Sequence, residues 1–172
     1  MPRPTGYIYR FTGEYDYLSN AWRLPPNKRI VYEGVTYPTV DHAFHALKTL
    51  DDRQREFLAS VSTPNVARIL AKTSDRRPDW KEIRLPLMRQ LMWLKFQANG
   101  NELVPKLLDT KDIPIIFENT YNDLFWGAIW SEYDNTWSGE NMVGKALMSI
   151  RAFLQNPCKA LNWEALTLEK CI

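Results

Sequence analysis

The stretch "KRIVYEGVTYPTVDHAFHALKTL" (residues 28–50) changes its hydrophobic rhythm part-way along. Apolar residues flank Glu33-Gly34, a two-residue turn signal, so the first half reads as a β-hairpin. Pro38 stops the second strand. Thr39 is a suitable N-cap, and Asp41 lies in the first turn, where its charge suits the helix dipole. A helix is therefore expected from about Val40 to about Leu50. At roughly 100° per residue, Val40, Ala43, Phe44 and Leu47 share one stripe, which packs inward. Asp41, His45 and Lys48 fall on an adjacent stripe about 60° wide, with His42 offset from it.

That polar stripe admits more than one reading. It can be a solvated face beside a buried one. A metal site is disfavoured, because the helix lacks the HExxH spacing that turns two imidazoles toward one zinc. It can also be the wall of a catalytic pocket. A lysine near apolar and cationic groups loses its proton and attacks an aldehyde or a sugar C1, while a neighbouring carboxylate moves protons or steadies positive charge. Spacing alone leaves the wet face and the pocket wall both open.

Working outward, "YIYRFTGEYDYLSNAW" reads as a strand running into a loop. Residues 51–74 read as two short helices broken at Thr63-Pro64. Residues 76–100 read as a longer helix with Leu87, Leu91 and Leu94 on one side, ending near Asn99-Gly100. "NELVPKLLDT" is another short helix. "IPIIFEN" is expected as a strand at a sheet edge, since Pro114 cannot donate to a ladder. The Trp-rich segment 122–141 is a loop with short strands, and a last helix repeats Val143, Leu147, Ile150 and Leu154. The expected fold class is α+β, mainly helical, a single compact domain over 1–172 with a small β-sheet.

The chain of 172 residues is long enough for one well-buried core and too short for two. Lys+Arg 22 against Asp+Glu 20 leaves a net charge of +2, which argues against a general nucleic-acid binder with a basic stripe. Seven Trp, eight Tyr and seven Phe suit either a heavy core or a pocket that stacks rings and sugars. Cys158 and Cys171 lack any CxxC or Cys/His spacing, so no structural zinc is expected. The N-terminus lacks an apolar run of signal-peptide length, and no segment approaches the roughly 18 apolar residues of a membrane span. The expected location is cytoplasmic, with reduced thiols.

In order along the chain, "FTGEYDYLSNAW", "YEGVTYPTVDHAFHALK", "DDRQREFLASVSTPNVARILAK", "RPDW…LMWLKF", "LLDT…IFENTYNDLFWG" and "SGENMVGKALMSIRAFL" resemble the NADAR family of N-glycosidases. The likeness spans about Tyr7 to Leu154 and leaves 155–172 as a C-terminal extension. It implies a compact, mainly helical α+β domain that hydrolyses the bond between a ribose C1 and a nitrogen base. The implied substrate is of the ADP-ribosyl-guanine or ribosylamino-pyrimidine phosphate type, either a small nucleotide or ADP-ribosylated nucleic acid. No metal and no cofactor are implied. A non-catalytic binder of ADP-ribose or NAD-like nucleotides is the alternative.

The resemblance also singles out residues. The family's "S/T-E-H-x-x-Q-A-x-K" segment falls on 40–48, where His42, Ala46 and Lys48 match; Asp41 replaces the usual Glu and His45 the usual Gln. Asp41 is one methylene shorter, and His45 brings a ring that titrates near neutral pH. The catalytic set is then Lys48, Asp41 and Glu118, the last at the end of "IPIIF". The implied substrate contacts are Asn20, His42, His45, Asn122, Asp123, Trp126, Gly127, Gly139 and Asn141. Trp126 would stack on base or sugar. Gly139 and Asn141 open the last helix, whose N-H groups could hold a phosphate, although capping alone would explain both. Asn122 and Asp123 could equally be turn formers. Arg10 is a weaker phosphate candidate, Trp80 is expected in the core, and Arg151 in a structural ion pair.

Overall fold

The hairpin forms where the turn chemistry places it. In the computed structural model, which describes residues 5–119 and 123–156, β1 (Ile30–Tyr32) pairs antiparallel with β2 (Val35–Tyr37), Tyr32 opposite Val35. Glu33 and Gly34 both have positive φ, 47° and 78°, the mirror-image turn whose twist matches that of the strands. Asn122, both cysteines and the chain beyond residue 156 lie outside the described residues.

Among those residues the chain forms two compact units: 20–102, and 5–19 with 103–119 and 123–156. In the first, three helices start on side-chain caps. The Thr39 hydroxyl accepts from His42 N at the head of α1 (Val40–Ala46), Asp51 from Gln54 N at α2 (Asp52–Ser60), and Thr63 from Val66 N at α3 (Pro64–Leu70). Each cap satisfies an N-H that has no partner within its helix. α4 (Trp80–Ala98) tolerates Pro86 in its second turn. α1 packs on α2, α3 and α4, and its buried Val40, Ala43, Phe44 and Leu47 share a core with Leu58, Leu87, Leu91 and Phe96.

α1 is shorter than its periodicity predicts. It ends at Ala46; Lys48 N then bonds His45 O and Thr49 N bonds Ala46 O, a tight turn that carries Lys48 beyond the last helical residue. In α4 the buried stripe continues from Leu91 to Lys95, while Leu94 is only half-buried.

α5 (Gly100–Asp109) follows, and the second unit is completed by β3 (Ile129–Ser131), β4 (Thr136–Ser138) and α6 (Met142–Gln155). β3 and β4 form a second hairpin with Trp130 opposite Trp137. The fold is α+β and mainly helical, as expected, but with two two-stranded sheets in place of one. Neither "YIYRF" nor "IPIIFEN" makes a strand: Ile8 meets Ile115, and Glu118 meets Ala128, in isolated bridges. The reason lies in Asn141. Its Oδ1 accepts from Phe117 N at 2.8 Å and its Nδ2 donates to Ile115 O at 2.9 Å, so one side-chain amide takes the bonds that a neighbouring strand would need. Arg151 is buried but serves a hydroxyl and a carbonyl rather than an acid. Its Nη1 donates to Thr110 Oγ1 at 2.8 Å and Ile113 O at 2.9 Å.

Candidate functional site

Lys48 leaves the end of α1 into an aromatic box. Its Nζ lies 5.6 Å from the centre of the Phe44 ring and 5.8 Å from that of Trp80, and the two rings are 4.9 Å apart. On its third side Nζ is 2.9 Å from Nδ1 of His45. Burial, together with the charges of Arg76 and Arg68, lowers the Lys48 amine from 10.5 to about 8; Asp41 pulls the other way. Burial and the Lys48 charge push His45 down to about 3, so the ring is neutral and its Nδ1 accepts from the lysine.

Asp41 is tied in through the backbone, its N-H donating to Asn20 O at 3.0 Å. Burial raises its carboxyl to about 6, against the pull of Lys95, then Lys48 and Arg68. Asn20 supplies one more feature. Its Nδ2 donates to Met88 Sδ, but its Oδ1 is buried with no partner. A buried carbonyl oxygen without a donor has lost water and gained nothing in exchange. The structure thus brings together Asn20, Asp41, His45 and Lys48.

Periodicity did not single out Lys95, which this arrangement needs. It is 1% exposed, sits 5.6 Å from the Trp22 ring and 5.7 Å from the Phe96 ring, and is the foremost positive charge acting on Asp41. The signal was a cation continuing the Leu87, Leu91 stripe at the next i+4 step.

His42 corrects the expectation of a substrate contact. It is fully buried. Its Nε2 donates to Val61 O at 3.2 Å, which leaves Nδ1 to accept from the Thr39 hydroxyl at 2.9 Å. Burial lowers its pKa, so it stays neutral and pins α1 to the end of α2.

The remaining predicted residues fall in the second unit. Glu118 is half-buried at its bridge to Ala128. Asp123 forms a turn, its Oδ1 accepting from Phe125 N and Trp126 N, both at 3.2 Å. Trp126 is half-buried, edge-on to Phe125 at 4.8 Å. Gly127 and Gly139 are required by packing. A Cβ on Gly139 would strike Gly127 O, and one on Gly127 would strike Phe117 O.

At the α6 N-terminus most of the amides are already engaged. The N-H groups of Glu140, Asn141, Met142 and Val143 already donate to the carbonyls of Leu124, Gly127, Phe125 and Trp126. Asn141 is committed to holding 115–117, with its backbone in the left-handed region at φ 52°. Those four amides are engaged and, as placed, do not face an anion. Among the described residues no group of three or more His, Cys, Asp or Glu is placed to hold a metal, and no helix is long and apolar enough to cross a membrane.

Comparison with known proteins matches residues 7–155 to the NADAR domain. The N-glycosidase YbiA of Escherichia coli (strain K12) is 32% identical over 146 residues, covering 84% of each chain. An N-glycosidase of Nostoc punctiforme is 29% identical over 157 residues, covering 88% of this chain and 94% of that one. The NMR structure of the E. coli protein YbiA superposes with a TM-score of 0.68 at 31% identity, over 88% of this chain and 84% of that one.

Proposed function

This chain belongs to the NADAR family and is an N-glycosidase, and we propose that it cleaves the bond between a ribose C1 and a nitrogen base through an imine on Lys48. The substrate is of the ADP-ribosyl-guanine or ribosylamino-pyrimidine phosphate type, met in the cytoplasm as a nucleotide or as ADP-ribosylated nucleic acid. The single observation that carries this reading is a half-buried lysine lowered to about 8 and held 2.9 Å from a neutral imidazole. At neutral pH a useful share of it is free amine.

In the proposed sequence Nζ attacks C1, the C1–N bond to the base breaks, and its electron pair leaves with the base. Asp41, poised near 6, takes the proton that Nζ sheds and passes it to the departing nitrogen. The ring C1–O bond then opens to a protonated imine, the ring oxygen taking a proton from solvent. Water adds at C1 and gives up one proton to solvent, the resulting hydroxyl passes its proton to Nζ, and Lys48 leaves as the neutral amine, releasing the sugar aldehyde. Lys95 helps to keep Asp41 ionised until it is needed. The unpaired Asn20 Oδ1 accepts from a ribose hydroxyl. On the family motif alone, Glu118 is proposed as a second carboxylate and Trp126 as a stacking surface; carboxylates acting directly on the developing cation at C1 are the competing mechanism.

The test is to incubate the protein with ADP-ribosylated guanine DNA and, separately, with the ribosylamino-pyrimidine phosphate, reading released base by mass spectrometry. Release from either supports the proposal and names the substrate. Binding of ADP-ribose with no base released from any N-riboside overturns it in favour of a non-catalytic binder.

A further inference from the structure

At the N-terminus of α6, the expected phosphate holder, four amides are already engaged, yet both candidate substrates carry phosphate on the ribose that presents C1. An anion site should therefore lie near Lys48. Three cations without a carboxylate of their own act on that amine. Arg68 lies in α3 and Lys72 in the turn that follows it. Arg76 is held close because the next residue, Arg77, donates its backbone N-H to Lys48 O at 2.8 Å. α3 itself packs on α1.

All three side chains are exposed. Arg68 donates to Asn65 Oδ1, and among the described residues none of the three forms an ion pair. By contrast the neighbouring Arg77 is paired with Asp79 at 2.6 Å and Arg55 with Glu33 at 2.7 Å. All three unpaired cations act on Lys48, and Arg68 also acts on Asp41. Asp41 is the carboxylate that answers them. Such an excess of positive charge around a half-buried amine is repulsive until an anion enters.

We propose that Arg68, Lys72 and Arg76 form an anion site that holds the ribose-linked phosphate or pyrophosphate of the substrate while C1 faces Lys48. This rests on the N-glycosidase reading above. Two guanidinium forks and an ammonium suit a dianionic group, the forks offering paired N-H donors and the ammonium a movable charge. The reactive sugar is then tethered by its phosphate.

Two arms test the site. The first measures inorganic pyrophosphate binding by calorimetry at fixed ionic strength, using full-length Lys48→Ala and the same chain carrying Arg68→Gln, Lys72→Gln and Arg76→Gln as well. Pyrophosphate should bind the former, and its affinity should fall about tenfold or more in the latter. Absent binding, or equal affinity in both, overturns the site. The second compares kcat/KM for the ribosylamino-pyrimidine phosphate and its dephosphorylated form, with Lys48 intact. The ratio should drop about tenfold or more in the triple variant, because any change in Lys48 itself affects both substrates and cancels. An unchanged ratio also overturns it. A melting curve checks that the triple variant folds, with Arg76→Gln alone as the fallback. Should the wild type cleave neither substrate, the substrate reading fails while the pyrophosphate arm still decides the anion site.

Discussion

Lowering the pH from 9 to 6 should switch off the reaction by protonating Lys48, and the structure sets the size of the effect. A lysine at its ordinary 10.5 is free amine in roughly one molecule of 3000 at pH 7; at about 8 it is free in roughly one of 11, a gain of about 300-fold. Only the free amine attacks C1, so the rate follows the deprotonated fraction and rises with pH. The free fraction grows about fiftyfold from pH 6 to 8 and levels near pH 9. Below 6, protonation of Asp41 removes the group that accepts the proton and steepens the fall. Single-turnover release of base across pH 5 to 10 is the assay, with imine trapping by borohydride followed in parallel. A profile already level at pH 7 would assign the limb to Asp41 alone and refute the lysine nucleophile. A rise continuing past 10 would refute the claim that the aromatic box tunes the amine.

Four substitutions at three positions probe the supporting contacts. His45→Gln keeps an acceptor for Lys48 and should hold kcat within about threefold, while His45→Leu should lower it about tenfold or more by leaving the lysine unanchored; equal losses would remove His45 from the account. Lys48→Met should raise stability at pH 7 by about 1–2 kcal/mol in urea unfolding. The sign follows because folding lowers the lysine's pKa. The resulting cost to stability is absent above 10.5, accrues as pH falls toward 8, and is constant below that. A less stable variant would contradict it. Asn141→Ala should cost about 2–4 kcal/mol by freeing Phe117 N and Ile115 O, and an unchanged melting temperature would show that the bridge at Ile115 needs no such latch.

The hairpin, the Thr39 cap and the break at Thr63-Pro64 were legible because each depends on a few adjacent residues whose backbone chemistry is nearly context-free. The end of α1 was not. Its wheel ran on to Leu50, yet a tight turn places Lys48 outside the helix, where it reaches His45 across three residues rather than following the Asp41 stripe by seven. "IPIIFEN" looked like a strand because its residues favour one. A distant Asn141 side chain satisfies its backbone instead, a pairing that local sequence does not encode. The same gap explains His42 and Lys95. A histidine beside the polar stripe turned out to be a core strut, and a lysine inside an apolar stripe is a buried counter-charge to Asp41. The family motif located Lys48 and Asp41, and the side chains around them give those two groups their chemistry.

The central claim is a covalent bond between Lys48 and the ribose C1. Incubating the protein with ADP-ribosylated guanine DNA in the presence of borohydride, followed by digestion and peptide mass spectrometry, tests it directly. The account predicts a reduced sugar adduct on Lys48 that is lost in Lys48→Ala. Base release at full rate with no adduct on any lysine, or undiminished release by Lys48→Ala, would contradict it.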